Sequence, residues 1–195
     1  MASNDATSGA PVVPIANPAP LGLCGFALTT FVLSAANAGF FSGDSIFLGL
    51  AFFYGGLAQL LAGMWEFKTG NTFGATAFSS YGAFWLALAS TVQFHMFSTN
   101  ATVGGHSIGV FLLGWTIFTG IMLLASFRTT KALIALFGLL FVTFILLTMA
   151  KFGNATGVLG GYFGLATAFV AFYIAASALL VSVKSPIKLP VGPIG

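Results

Sequence analysis

Six long apolar segments, separated by short polar stretches, make up most of the chain. They cover approximately residues 18–40, 45–65, 72–96, 107–127, 131–150 and 156–183. An α-helix needs about 20 such residues to cross the roughly 30 Å hydrocarbon core of a bilayer. The pattern therefore predicts an all-α membrane protein with six transmembrane helices in residues 17–184. A disordered N-terminal tail at 1–16 and a short C-terminal tail at 185–195 are expected to flank them.

The composition supports a membrane protein and excludes several other classes. Hydrophobic residues form 58% of the chain and charged residues 5%, whereas a soluble domain carries about 25% charged residues. The net charge of +3 comes from six basic and three acidic residues, too few and too scattered for a nucleic-acid-binding face. The short connections leave no room for a soluble domain.

The basic residues predict an orientation. If both termini are cytoplasmic, the inner side holds five of the six basic residues and the outer side only Lys151. Cytoplasmic loops of membrane proteins carry such an excess of lysine and arginine. We therefore expect a multi-pass plasma-membrane protein with both termini inside. The five inner residues are Lys68, Arg128, Lys131, Lys184 and Lys188.

Catalytic and metal chemistry find little support in the sequence. One cysteine and two histidines do not form a zinc site, and no catalytic constellation is apparent, so we expect neither an enzyme nor a bound cofactor. Glu66 and Lys68 are placed at a helix end. We therefore expect the membrane interior to contain no aspartate, glutamate or lysine that could relay protons.

Neutral polar groups within apolar helices are the remaining candidates for a binding site. Asn17 precedes a predicted helix start at Pro18, and the backbone of Ala19 and Leu21 presents donors near a positive dipole end suited to a carboxylate. An ordinary capped helix start explains the same residues. Gln59 lies on a stripe of small residues at four-residue spacing, where it could line a path or bond a neighbouring helix. The stripe consists of Ala51, Gly55, Gln59 and Gly63.

The third predicted helix is unusually rich in hydroxyl groups. It opens with Asn71 and Thr72 and continues through Ser79, Ser80 and Tyr81. Asn71, Thr72 and Ser80 are candidate substrate contacts. Hydroxyl groups can also bond to carbonyls of their own helix, so a structural role stays open.

Three blocks of this sequence resemble the acetate uptake transporter family, of the succinate–acetate permease type. They are NPAPLGL at 17–23, FYGGLAQ at 53–59 and EFKTGNTFGATAFSSYG at 66–82. The resemblance implies six-helix protomers assembled as a homo-hexamer in the lipid membrane, with one path in each protomer. It also implies a constriction formed by a Phe, a Leu and a Tyr, which Phe26, Leu140 and Tyr81 match.

The resemblance further implies the transported substrates. These are acetate first, related small carboxylates and succinate in some members, with proton-coupled uptake. Because no buried titratable relay is expected, we predict that the proton travels with the substrate or that coupling is not strict. Two alternatives are a channel for another small solute and a non-transporting, tetraspan-like membrane organiser.

Overall fold

Six helices form in the part of the chain that the computed structural model describes, residues 15–42, 45–154 and 157–194. Most of the predicted N-terminal tail lies outside these residues. Five of the six helices are long and apolar enough to cross a membrane; the third is 22 residues long but carries more hydroxyl side chains. The predicted all-α, six-helix architecture is confirmed. The helices are α1 (Ala19–Asn37), α2 (Phe47–Lys68), α3 (Thr72–Gln93), α4 (Ala101–Ser126), α5 (Lys131–Lys151) and α6 (Gly157–Ser182).

Polar side chains set where the helices begin. Asn17 accepts a hydrogen bond from the Ala19 N–H, and Asn71 accepts one from Gly74. The Thr130 hydroxyl accepts one from the Leu133 N–H at the start of α5. Asn100 caps α4, which consequently begins six residues earlier than the sequence suggested. Capping of this kind satisfies N–H groups that have no partner inside the helix.

Close approaches of glycine hold the bundle together. A side chain at Gly161 would overlap the backbone of Ala38, where α6 begins beside the end of α1. A side chain at Gly63 would likewise meet Ser79, where α2 crosses α3. Where lipid removes the hydrophobic driving force, such contacts between small residues let helix backbones pack directly.

A π-helical turn, Phe53–Ala58, interrupts the α-helical geometry of α2. At this turn Gly55 packs against Thr29 of α1, whose hydroxyl donates to the Gly25 carbonyl oxygen. A π-helical turn shifts the register of the residues that follow it, and such turns are frequent at functional sites. Gln59 follows the turn directly and is almost completely buried.

The predicted C-terminal tail is bonded to the bundle. The Gly192 carbonyl accepts from the Lys131 N–H, and the Ile194 N–H donates to Thr129. On α6, the hydroxyls of Ser177 and Tyr173 donate to carbonyls of the same segment. Residues 185–194 therefore return along the start of α5 and the end of α6.

Alternation of six helices places the two ends of the bundle in different surroundings. The end of α2, the start of α3, the α4–α5 turn and the C-terminal segment share one end, which we call the basic end. It carries exposed Lys68, Arg128, Lys131, Lys184 and Lys188. The opposite end carries Lys151.

Candidate functional site

A cavity of about 140 Å³ opens between helices towards the basic end. A water molecule needs roughly 10–15 Å³ of such space, so a small organic acid fits together with some water. Apolar side chains form most of the wall, and the polar members are few. The lining consists of Ala19, Leu23, Phe26, Gln59, Glu66, Asn71, Phe73, Gly74, Ala77, Phe78, Tyr81, Leu133, Leu136, Phe137, Leu140, Ile174 and Ala178.

The three residues predicted to form a constriction all line this cavity. Phe26, Tyr81 and Leu140 come from α1, α3 and α5, and each is at most 5% exposed. The rings of Phe26 and Tyr81 lie 5.7 Å apart, centroid to centroid. All three therefore belong to the buried part of the cavity wall.

Tyr81 is held rigidly by α4. Its hydroxyl lies 2.8 Å from the Thr119 hydroxyl, and either group can donate. Its ring packs edge-on against Phe118 at 5.4 Å and contacts Phe137 of α5. The Tyr81 hydroxyl thus has a partner within the protein, and its ring forms part of the cavity wall.

Two side chains of α2 bring polar atoms to the wall. Gln59 is 1% exposed and Glu66 is 2% exposed. In each, Oε1 is buried without a hydrogen-bond partner among the described groups. Buried polar atoms are normally paired, so these two oxygens point to a ligand or water in the cavity.

The turn between α2 and α3 fixes the Glu66 carboxylate. Its Oε2 accepts from Asn71 Nδ2 at 2.8 Å and from the Thr69 hydroxyl at 3.2 Å. Asn71 also caps α3 through Gly74, and the chain reverses at Gly70, which has a φ of 77°. One oxygen of Glu66 is therefore anchored, while the other is buried without a hydrogen-bond partner among the described groups.

Comparison with known proteins identifies the family. The family model described as GPR1/FUN34/yaaH matches residues 3–195. The chain belongs to the GPR1/FUN34/yaaH family. This confirms the resemblance inferred from the three sequence blocks and shows that the chain is a multi-pass membrane protein.

Individual members of the GPR1/FUN34/yaaH family align over most of the chain. It is 45% identical to acetate permease A of Emericella nidulans over 90% of its own length, but it spans only 65% of that protein. It is 39% identical to the succinate-acetate/proton symporter SatP of Escherichia coli, covering 91% of this chain and 96% of SatP. A solved structure of the bacterial acetate channel SatP superposes with a TM-score of 0.83 at 38% identity. That match covers 92% of this chain and all of the other.

Four of the residues predicted to bind substrate lie outside the cavity lining. Asn17 is exposed and caps α1, and Leu21 is 46% exposed. Thr72 is exposed and Ser80 half-buried. Gln59 and Asn71, in contrast, both line the cavity. Ala19 lies at its edge, so the first turn of α1 still borders the site.

Glu66 is the functional candidate that sequence reasoning missed. As predicted, Glu66 lies near a helix end, two residues before the end of α2, but its carboxylate is buried in the cavity wall. Its closeness to Lys68 and to the predicted helix end suggested an exposed position. One available signal was Asn71, which follows five residues later and can both cap α3 and donate to the carboxylate.

The cavity wall suits a small amphipathic acid. An apolar body would contact Phe26, Leu140 and their neighbours, while a carboxyl group would meet Gln59, Glu66 and Asn71. No lysine, arginine or histidine is found in the lining. Within the described ranges no three His, Cys, Asp or Glu side chains cluster as a metal site.

Proposed function

We propose that this protein transports acetate and related small monocarboxylates across the plasma membrane. The observation that carries the proposal is the cavity itself, whose wall combines the polar side chains of Gln59, Glu66 and Asn71 with apolar ones. Among the apolar lining residues, Phe26, Tyr81 and Leu140 are proposed to form the constriction. The names of the relatives support it, since they include an acetate permease and a succinate-acetate/proton symporter. Succinate is a further candidate substrate for this chain.

The constriction explains how small acids could be selected. An apolar constriction can block passage by excluding water, without any charged gate. An ionised carboxylate in such a dry region is costly, so transport requires either a protonated acid or a wetted opening. The proposed contacts with substrate are Gln59, Asn71 and the first turn of α1. Asn17, Leu21, Thr72 and Ser80, the other contacts predicted from the sequence, lie outside the cavity lining.

The proposal includes a homo-hexamer with one path in each protomer. Outward-facing apolar side chains are numerous, among them Ile117, Leu124 and Val181, each more than half exposed in the isolated chain. Such faces are suited to lipid or to neighbouring protomers. Size-exclusion chromatography with light scattering on the purified protein would measure the number of protomers.

A second candidate is ammonia or ammonium. The observation that favours it is the pair of unpartnered acceptor oxygens on Gln59 and Glu66, in a lining without basic side chains. Saccharomyces cerevisiae ammonia transport outward protein 2 is 44% identical over 87% of this chain, which spans 64% of that protein. The flux experiment below separates the two solutes.

We expect purified protein in proteoliposomes to accelerate uptake of labelled acetate well above the rate in protein-free liposomes. Unlabelled propionate should compete more strongly than lactate, because lactate adds a hydroxyl group beside its carboxyl group and the cavity wall is mostly apolar. Methylammonium should neither enter nor compete. Liposomes containing an unrelated membrane protein provide the control. Acetate uptake equal to that control, or preferential uptake of methylammonium, would refute the proposal.

Both termini are proposed to be cytoplasmic, because five of the six basic residues lie at the basic end. In a Cys24→Ser background, single cysteines at Thr99 and Ile187, both exposed and at opposite ends, test this. We expect an impermeant maleimide added to intact cells to label the Thr99→Cys protein and to spare Ile187→Cys until the cells are lysed. The reverse pattern would show that the orientation is inverted.

A further inference from the structure

We infer that Glu66 recognises the substrate by sharing one proton with its carboxyl group at the basic end of the cavity. This assignment rests on the proposed transport of carboxylates and adds to it the residue that would couple substrate to a proton. It replaces the earlier expectation that no protein group takes part in that coupling.

The geometry leaves Glu66 one oxygen with which to bind. Asn71 and Thr69 both donate to Oε2, which fixes the plane of the carboxyl group. Oε1 is buried and accepts no hydrogen bond from any described group. A partner for Oε1 must therefore come from outside the described protein groups, and the cavity that Glu66 lines can supply it as water or substrate.

The charges around Glu66 require a proton in the complex with a carboxylate substrate. Either the substrate or Glu66 must be protonated when they meet. The titratable groups in the cavity lining are Glu66 itself and Tyr81 of α3; α1, α5 and α6 contribute none. Tyr81 is already paired with Thr119. On the same helix Lys68 is exposed and is not among the groups bonded to Glu66. Among the residues that the structure describes, no cation is thus bonded to Glu66 to offset two negative charges.

Two carboxyl groups in such a site hold a single proton between them. Like charges at short range and burial both disfavour the doubly ionised state, and the proton then belongs to the pair rather than to either member. Acetate can enter beside protonated Glu66, or acetic acid beside ionised Glu66, and both routes give the same complex. The proton comes from water on the side of entry, and it leaves the site with the substrate as acetic acid.

Gln59 provides the next polar contact along the same helix. It lies seven residues before Glu66, which corresponds to roughly 10 Å along a helix axis, and its face also lines the cavity. Its amide can donate to or accept from either form of the acid. The carboxyl group can therefore pass from Glu66 to Gln59 on its way to the constriction.

The variant Glu66→Gln tests the inference, because the amide keeps the size of the side chain and a hydrogen-bond donor but holds no exchangeable charge. At constant total acetate, we expect protein-dependent flux in the wild type to fall with rising pH, approaching about tenfold per unit. In Glu66→Gln the flux should persist and lose this slope. Glu66→Asp should restore it, and Lys68→Gln, a change of charge at the same helix end but outside the cavity, should keep the wild-type slope.

Each other result counts against the assignment. An assembled Glu66→Gln protein that keeps the wild-type slope shows that the acid crosses without Glu66. Loss of acetate flux in Glu66→Gln at every pH also contradicts the assignment. The glutamine amide still offers a hydrogen-bond donor to the ionised substrate, so flux should persist. Absence of acetate flux in the wild type would instead overturn the proposed function itself.

A spectroscopic measurement covers the case in which the variant fails to assemble. Adding carbon-13-labelled acetate to the wild-type protein above neutral pH should produce an infrared band of a protonated protein carboxyl group, separated from the shifted bands of the ligand. The same band should appear with Lys68→Gln. If acetate binds and no such band appears, Glu66 does not share the proton.

Discussion

Replacing Leu140 by alanine is expected to raise the ratio of lactate to acetate flux by about tenfold, as measured in proteoliposomes and normalised to assembled protein. Leu140 lines the cavity together with Phe26 and Tyr81, the residues proposed to form its constriction, and lactate differs from acetate by added bulk next to the carboxyl group. One extra or missing methylene group in an apolar pocket changes selectivity between two substrates by roughly 10- to 200-fold. Phe26→Ala should act in the same direction.

A matched truncation separates selectivity from stability. Leu112 of α4 is similarly buried but does not line the cavity. Leucine-to-alanine changes at buried sites cost about 2–5 kcal/mol wherever they occur, so both variants should lose thermal stability. If Leu140→Ala and Leu112→Ala shift the flux ratio equally, or neither shifts it, Leu140 is an ordinary packing residue.

The helices could be predicted because the bilayer fixes their length. Each apolar run is close to the span that hydrocarbon demands, and short polar connections separate the runs. The start of α4 was misplaced because residues 101–106 are polar enough to resemble a loop. Asn100 shows the true start, since its side chain accepts from the N–H groups of Thr102 and Val103.

Other features depend on tertiary contacts that no local pattern encodes. The π-helical turn of α2 arises where Gly55 meets Thr29 of a different helix. The C-terminal segment contains three prolines and was predicted as a short tail, and its carbonyls accept hydrogen bonds from donors on α5 and α6. In both cases the deciding partner is distant in sequence.

The candidate site was predictable to the extent that residue type and helix face decide it. The spacing of Ala51, Gly55, Gln59 and Gly63 indicated one inward face, and Gln59 does line the cavity. The burial of the Glu66 side chain in the cavity wall was not predictable from the sequence. It depends on the chain reversal at Gly70, which brings the Asn71 side chain back to the carboxylate. Asn17 and Leu21 suggested a binding end of α1, whereas the cavity meets that helix at Ala19, Leu23 and Phe26.

Replacing Gln59 by leucine is expected to lower acetate flux about tenfold or more while leaving the fold intact. The two side chains are similar in volume, so the wall keeps its shape. A hydrogen bond to a charged group contributes about 1.5–3 kcal/mol, and leucine offers none to a passing carboxyl group. Because Oε1 of Gln59 accepts from no described residue, its removal should not lower the thermal unfolding temperature.

Thr167→Val provides the matched control, since it also removes a buried polar atom from a helix. Thr167 is fully buried, its hydroxyl bonds within α6 to the Phe163 carbonyl, and it is absent from the cavity wall. Its flux should stay near that of the wild type. A Gln59→Leu protein that transports acetate normally would remove this residue from the path. One that fails to assemble would show instead that Gln59 links α2 to its neighbours, in which case the carboxyl group must pass from Glu66 to the constriction without a second polar contact on α2.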